Sequence, residues 1–160
     1  MSENTAENCP VCRKHRGELP AWGGFVYADE LIVILHAQPY GQETDHYLGH
    51  LFIETRRHVA DLADLSEAEA QAIGLYTQRL ARALMSCLNI EHVYSFTIVD
   101  GAPHMHVHII GRYQDAPREY WGTKVDEWPG APRGKEAEMT QICSQLRAFL
   151  IEKYGGLQVK

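Results

Sequence analysis

The sequence has no long apolar run and no block of basic residues. Of its 160 residues 45% are hydrophobic, but no run approaches the roughly 18 consecutive apolar residues that a membrane span needs. Residues 1–8 are polar and lack the apolar segment of a secretory signal. The formal net charge is −6, from 15 basic and 21 acidic residues. Because nonspecific nucleic-acid binding needs clustered cations, these absences predict a cytoplasmic protein that binds neither membranes nor nucleic acid.

Cysteine is also scarce, and its four positions are of two kinds. Cys87 and Cys143 lie in apolar stripes of helical spacing, which is typical of small core residues. Cys9 and Cys12 form Cys-Pro-Val-Cys, a gap that lets both sulfurs reach one tetrahedral zinc ion from a tight turn. A redox pair or two unrelated surface thiols are the alternatives. Since no second pair of this kind follows, any remaining zinc ligands must be distant residues, with histidine the expected type.

The apolar pattern predicts one α+β domain over residues 1–160, a length that buries a sufficient core without disulfides. Strands are predicted at 25–27, 31–35, 48–54, 93–99 and from His104 onward. A capping box at Ser66–Glu69 begins a long central helix that ends near Asn89, and a C-terminal helix covers 135–154, stopped by Gly155-Gly156. We expect about five largely antiparallel strands with both helices on one face of the sheet.

The segment His104-Met105-His106-Val107-His108 places a histidine at every second position and an apolar residue between each pair. A period of two belongs to a strand, so we expect the imidazoles on one face and the apolar side chains in the core. Three interpretations fit: the rings hold a catalytic zinc ion, one ring is a nucleophile, or all are hydrogen-bonded surface histidines. Three histidines in strict alternation make the surface interpretation the weakest. The spacing does not decide between a zinc site and a nucleophilic histidine.

These residues resemble a known family. The segment from His104 to Ile110 fits the H-φ-H-φ-H-φ-φ signature (φ apolar) of the histidine triad (HIT) family of nucleotide hydrolases and transferases. Further similar segments follow in the family's order over roughly residues 9–112: Val26–Glu30 in its early hairpin, Gly49-His50 in its Pro-Gly-His turn, and Arg56–Val59 with Asp61-Leu62 in its Lys-Arg-His-Val segment. Agreement in several segments makes chance improbable.

The resemblance implies a HIT-like fold, a site and a set of partners. It implies a structural zinc ion held by Cys9, Cys12, His58 and His104, with residues 1–20 as a zinc-binding arm. His106 would be the nucleophile that attacks a nucleotide α-phosphorus, and His108 and His50 would donate hydrogen bonds near the phosphate. His36, Asp100 and His108 would contact the nucleotide. The family's substrates are dinucleoside polyphosphates and nucleoside phosphoramidates, and its members are commonly homodimers.

The sequence departs from the family's pattern at four places. His36 stands where Asp or Asn usually binds the ribose, and Gly111 stands where a proline usually follows the motif. The glycine-rich phosphate loop shrinks to Asp100–Pro103, and the loop at 37–47 is longer than typical. The Trp- and Pro-rich segment 113–134 offers replacements for the missing donors: Arg118, Lys124 or Arg133 for phosphate and Trp121 or Trp128 for a base. The alternative is that this segment only packs on the sheet or on a second subunit.

Two other functions stay open at this point. In the first, the triad histidines are ligands of a catalytic zinc ion in a hydrolase. In the second, the chain is a nucleotide-binding module without turnover, because one set of phosphate donors is missing.

Overall fold

Five antiparallel strands form the central sheet of the protein, which a computed structural model describes over residues 5–155. They are β1 (Phe25–Ala28), β2 (Ile32–His36), β4 (His50–Thr55), β5 (Ile90–Phe96) and β6 (His106–Tyr113), in the spatial order β1-β2-β4-β6-β5. Two short strands, β3 (His46–Tyr47) and β7 (Arg133–Gly134), pair separately. Residues 1–4 of the predicted arm and Gly156 of the predicted helix stop lie outside the described residues.

Two long helices cover one face of this sheet, as the sequence predicts. They are α2 (Glu67–Cys87) and α3 (Glu136–Tyr154). The capping box is present, because the Ser66 hydroxyl accepts from Glu69 N and the Glu69 carboxylate accepts from Ser66 N. Leu80 and Leu84 of α2 and Leu146 of α3 are fully buried with the inward side chains of the strands. No helix among residues 5–155 is long and apolar enough to cross a membrane.

The alternation in β6 separates the core from the opposite face. Met105, Val107 and Ile109 are buried in the main core, as predicted. On β4 and β6, Glu54 is paired with His106 and Phe52 with His108, and paired residues present their side chains to the same face. The face away from the helices therefore carries histidine, phenylalanine and glutamate side chains together.

A short N-terminal helix, α1 (Pro10–His15), and the segment 113–134 pack near this second face. Cys9 and Cys12 contact His104, which ties α1 to the start of β6. Val125 is buried with Tyr47 and Ile110. The segment 113–134 is thus packed on the sheet, and its end forms the strand β7.

Several boundaries differ from the predicted ones for local reasons. The strand predicted at 93–99 is β5, which begins at Ile90 because Ile90 pairs with Tyr113 at the far end of β6. The strand predicted at 48–54 is interrupted by Gly49, whose φ of 91° takes it out of the extended conformation. His104 lies before β6 begins, so the triad is not one continuous strand face.

Candidate active site and metal centre

A cavity of about 680 Å³ lies on the face of the sheet away from α2 and α3. Its lining includes the predicted residues His36, His50, His106 and His108. One wall of the cavity comes from α1 and the residues that follow it, namely Pro10, Val11, Lys14, Leu19 and Pro20. Another wall comes from residues 36–40. This volume falls within the roughly 300–1,000 Å³ of small-molecule sites, so the sheet face has room for a ligand.

His106 has one ring nitrogen fixed by the backbone. Its Nδ1 lies 2.7 Å from the carbonyl oxygen of His104, and since a carbonyl only accepts, Nδ1 carries the proton. The neutral ring then has its lone pair on Nε2. A half-buried imidazole with a free Nε2 at a cavity is equipped to act as a nucleophile.

His108 and His50 form a pair beside it. Nε2 of His50 lies 3.0 Å from Nδ1 of His108, and the two rings lie edge to edge with their centroids 5.2 Å apart and their planes inclined by 27°. Burial and the neighbouring His106 lower the pKa of His108 to about 4. Burial and the surrounding histidines place the pKa of His50 well below its ordinary value. Both rings are therefore neutral at pH 7, and their shared contact holds one proton.

The other two residues predicted to bind a nucleotide are placed differently. His36 lines the cavity but is 0% exposed, and both of its ring nitrogens are engaged: Nδ1 donates to the Ala37 carbonyl at 2.6 Å and Nε2 accepts from Gly49 N at 3.0 Å. The ring thus holds the end of β2 against the Gly49 turn. Asp100 is exposed and is not among the residues that line the cavity. Their contact with a nucleotide stays a prediction.

Cys9, Cys12, His58 and His104 converge behind the cavity, with their ligand atoms all within 4.8 Å of one another. The Sγ atoms of Cys9 and Cys12 each lie 3.4 Å from His104 Nδ1. His58 Nδ1 lies 3.5 Å from Cys12 Sγ and 3.3 Å from His104 Nδ1. With Zn–S near 2.3 Å and Zn–N near 2.05 Å, a tetrahedron has S···N edges of about 3.6 Å and N···N edges of about 3.3 Å. The four residues could hold a metal ion with little movement.

The surroundings of these ligands favour metal binding. His104 Nε2 donates to the Thr55 carbonyl at 2.7 Å, which leaves the Nδ1 lone pair directed at the cysteines, as is usual for ligating histidines. Burial and the neighbouring Cys9 raise the pKa of Cys12 to about 11. A buried thiol kept neutral in this way needs a cation to become a thiolate. The donor set therefore fits a bound metal.

A buried ion pair joins α1 to the cavity wall. The Glu54 carboxylate accepts from Lys14 Nζ at 2.7 Å and contacts His15 Nε2 at 2.8 Å. Although burial pushes the pKa of Glu54 upward, the hydrogen bonds from His15 and Lys14 hold it below its ordinary value. Lys14 is the single lysine or arginine among the described residues that line the cavity. Helix α1 thus brings a cation to the site.

Lys14, Glu54 and His46 are site residues that sequence reasoning did not assign. His46 belongs to none of the motifs that the sequence shows, and no local pattern marks Lys14 or Glu54. Conversely, the cations of segment 113–134 lie elsewhere: none of Arg118, Lys124 and Arg133 lines the cavity. Arg133 is paired with Asp45 at 2.6 Å. Trp121 packs against Arg112, whose guanidinium carbon lies 3.6 Å from the ring centroid.

The glycine that follows the triad has a packing reason. A Cβ at Gly111 would lie 2.6 Å from Ile90 Cδ1. The Gly111 N–H donates to the Gly49 carbonyl at 3.0 Å, a bond that proline cannot make. Glycine at this position therefore leaves room for Ile90 of β5 and supplies the N–H that the Gly49 turn needs, neither of which proline would do.

Known proteins are similar to this chain in sequence and in fold. A model of the HIT domain matches residues 23–115. The AP-4-A phosphorylase of Mycobacterium tuberculosis is 27% identical over 113 residues, 65% of this chain and 51% of that protein. The chain thus spans about half the length of the curated relatives it matches.

Two solved structures show the same fold at low sequence identity. A zinc-bound histidine triad family protein from Mycobacterium smegmatis has a TM-score of 0.66 at 20% identity, covering 92% of this chain and 96% of its own. A hypothetical histidine triad nucleotide-binding protein from Sulfolobus tokodaii has a TM-score of 0.68 at 18% identity, covering 92% and 97%. Since the family model spans more than half of the sequence, including the whole histidine triad, this chain belongs to the HIT domain family.

Proposed function

We propose that the protein is a nucleotide hydrolase or nucleotidyl transferase that cleaves at the α-phosphorus through a nucleotidyl-histidine on His106. The hydrogen bond from His106 Nδ1 to the His104 carbonyl supports this most directly, because it supplies the tautomer that a nucleophilic Nε2 requires. Family membership and the AP-4-A phosphorylase relative support nucleotide chemistry.

The reaction would proceed in two displacements. His106 Nε2 attacks the α-phosphorus, the bond to the leaving group breaks with its electron pair, and a phosphorus–nitrogen bond forms. Water or another acceptor then attacks the phosphorus, and the bonding pair returns to Nε2. Phosphoryl transfer depends mainly on positioning and on stabilising charge at the phosphate oxygens. His108 is the proposed donor through its Nε2, and Lys14 adds a positive charge. His50, expected from the resemblance to be a second donor, has both ring nitrogens directed at His46 and His108, so we propose that it orients His108 instead.

Dinucleoside polyphosphates and nucleoside phosphoramidates are the proposed substrate classes. They differ in what leaves: a polyphosphate departs as a stable anion, whereas an amine must take up a proton. The name of the phosphorylase relative makes inorganic phosphate an acceptor to test beside water.

We further propose that Cys9, Cys12, His58 and His104 hold a structural zinc ion, with support from the zinc-bound relative of the same fold. In the alternative zinc hydrolase, His104, His106 and His108 would share one catalytic ion. The geometry disfavours that alternative, because His104 Nδ1 faces the two cysteines, His106 Nδ1 binds a backbone carbonyl and His108 Nδ1 faces His50. Four protein ligands also leave no open position for a metal-bound water.

Trapping the covalent intermediate tests the proposal. Wild-type protein is mixed briefly with α-³²P-labelled diadenosine tetraphosphate or with α-³²P-labelled adenosine 5′-phosphoramidate, then denatured in base. We expect label on the protein that acid removes, as for a phosphorus–nitrogen bond, and none on His106→Ala. Turnover without label in wild type, or label that persists in His106→Ala, would overturn the nucleophile assignment. Tight nucleotide binding with no product would favour the binding module instead.

Removing the Lys14 charge should weaken substrate binding. In Lys14→Ala, Glu54 loses its closest cation. The cavity loses the one lysine or arginine among its described lining residues. Since a hydrogen bond to a charged group contributes about 1.5–3 kcal/mol, we expect KM to rise about 10- to 100-fold with a smaller change in kcat.

Steady-state kinetics on both substrate classes measures this effect, with Lys14→Arg as the matched control that keeps the charge. Recovery of most of the affinity in Lys14→Arg is expected. A fall in kcat at unchanged KM would contradict a role in phosphate binding.

A homodimer, a single domain over residues 1–160 and a cytoplasmic location stay predictions from the sequence. Sedimentation equilibrium on the full chain, with and without a nucleotide, tests the dimer directly.

A further inference from the structure

We propose that His46 is a positioning residue that connects the His50–His108 pair to solvent, so that the site can supply a proton to basic leaving groups. The observation behind it is a continuous chain of three imidazoles. His46 Nε2 lies 3.0 Å from His50 Nδ1, and His50 Nε2 lies 3.0 Å from His108 Nδ1. This inference rests on the function proposed above.

The three imidazoles lie edge to edge in nearly one plane. The centroids of His46 and His50 are 5.1 Å apart at an interplanar angle of 28°, and those of His50 and His108 are 5.2 Å apart at 27°. Because the facing nitrogens are 3.0 Å apart in both pairs, they lie almost on the lines between the centroids, where each lone pair is directed at the next ring. His108 stacks on Phe96, with centroids 4.7 Å apart, which holds the inner end of the chain.

Among the described residues, no partner lies in good hydrogen-bond geometry at the two buried ends of the chain, His108 Nε2 and His46 Nδ1. The backbone of Ile98 is the polar group beside His108, and Glu43 is the one beside His46. His108 lines the cavity, whereas the His46 side chain is 16% exposed and its Nδ1 lies 3.9 Å from a carboxylate oxygen of Glu43, itself 54% exposed. One end is therefore at the site and the other is close to solvent.

Charged groups from three parts of the chain face His46. Glu43 lies on the preceding loop, Arg133 on β7, and Asp126 on the segment 113–134, while His50 lies on the inner side of the His46 ring. Burial lowers the pKa of His46 more than the two acidic groups raise it. All three imidazoles of the chain are thus neutral at pH 7, and each carries one proton.

A neutral chain has two proton arrangements that differ by one shift along it. In the first, His46 Nε2 donates to His50, His50 Nε2 donates to His108, and His108 Nε2 carries a proton at the site. When the leaving group departs with the bonding pair, it takes this proton, each ring receives one from its neighbour, and His46 Nδ1 takes one from solvent. When water attacks the phosphorus, its proton enters at His108 Nε2 and the shift reverses. No ring becomes charged at either stage.

Two substrates with different leaving groups separate this role from others. An adenosine 5′-phosphoramidate with an alkylamine leaving group needs a proton, whereas the 4-nitrophenyl ester of AMP does not. His46→Gln keeps a donor toward His50 but cannot pass a proton through, and His46→Phe keeps an aromatic ring at this position without ring nitrogens. His92→Gln makes the same chemical change at an exposed histidine of β5 and is the matched control.

We expect both His46 variants to lose about 10- to 100-fold in kcat on the amidate, within the range of general acid catalysis. KM for the amidate should change by less than about 3-fold, and kcat on the nitrophenyl ester should also change by less than about 3-fold. In mixtures of H₂O and D₂O, the amidate rate of wild type should depend nonlinearly on the deuterium fraction, since several protons move together. Both variants should show a linear dependence.

Each other result overturns the inference in a recognisable way. Equal losses on both substrates would mean a structural role, and a loss confined to KM would mean direct substrate contact. Wild-type rates in both variants would mean that the chain of imidazoles carries no proton. If His106→Ala keeps its turnover, or wild type turns over neither substrate, the proposed function itself fails and this inference fails with it.

Discussion

Replacing His106 by glycine is expected to lower kcat/KM by about 10³- to 10⁶-fold on both substrate classes, the range seen when an enzyme loses its nucleophile. His50 cannot take over, because its two ring nitrogens face His46 and His108, and His108 presents to the cavity the Nε2 that carries the proton for the leaving group in the chain proposed above. The carbonyl of His104 would remain, but no imidazole would be attached to it. Steady-state and single-turnover kinetics measure the loss.

Added imidazole provides the control for this variant. In His106→Gly it can occupy the space of the missing ring and donate to the same carbonyl, so we expect partial recovery that saturates with imidazole concentration. His106 is only half-buried and its ring makes one hydrogen bond to protein, so the melting temperature should change little. Turnover in His106→Gly at near wild-type rates without imidazole would contradict covalent catalysis at this residue.

Short-range patterns predicted much of the architecture. The alternation around Met105, Val107 and Ile109 identified which side chains enter the core, and the Ser66–Glu69 capping box fixed the start of α2. Both are local rules: a side chain's face in a strand and a helix's first turn depend on residues a few positions apart. Boundaries were less accurate, because the start of β5 depends on pairing with the distant end of β6.

The site was only partly predictable for a related reason. Position in the alternating pattern does not reveal that His104 faces the cysteines while His106 and His108 face the cavity, because this division depends on where α1 packs. The resemblance to the family named the four residues that converge in the metal centre. It carried no information on Lys14 or His46, whose roles arise from contacts with Glu54 and His50. Such contacts join residues that have no shared local pattern.

The Cys9→Ser/Cys12→Ser double variant is expected to lose its zinc and much of its stability together. With zinc at about 1,000 times its Kd, binding adds about 4 kcal/mol to the folded state, which corresponds to roughly 8–16 °C in melting temperature for a chain of this size. Metal analysis and thermal melts measure both changes. Cys87→Ser, which makes the same substitution away from the metal centre on α2, should retain both the metal and the melting temperature.

The same variant should also lose affinity for substrate, because the metal centre and the cavity share α1. Pro10, Val11 and Lys14 line the cavity, and Cys9 and Cys12 hold that helix against His104. Without the metal, α1 would keep the Glu54 contacts with Lys14 and His15 and the edge-on ring contacts of His15 with Phe25 and His104, but it would lose the four-ligand link. We therefore expect KM to rise about 10-fold or more while the His106 adduct still forms at saturating substrate. Retention of zinc together with activity would instead identify the triad histidines as ligands of a catalytic ion.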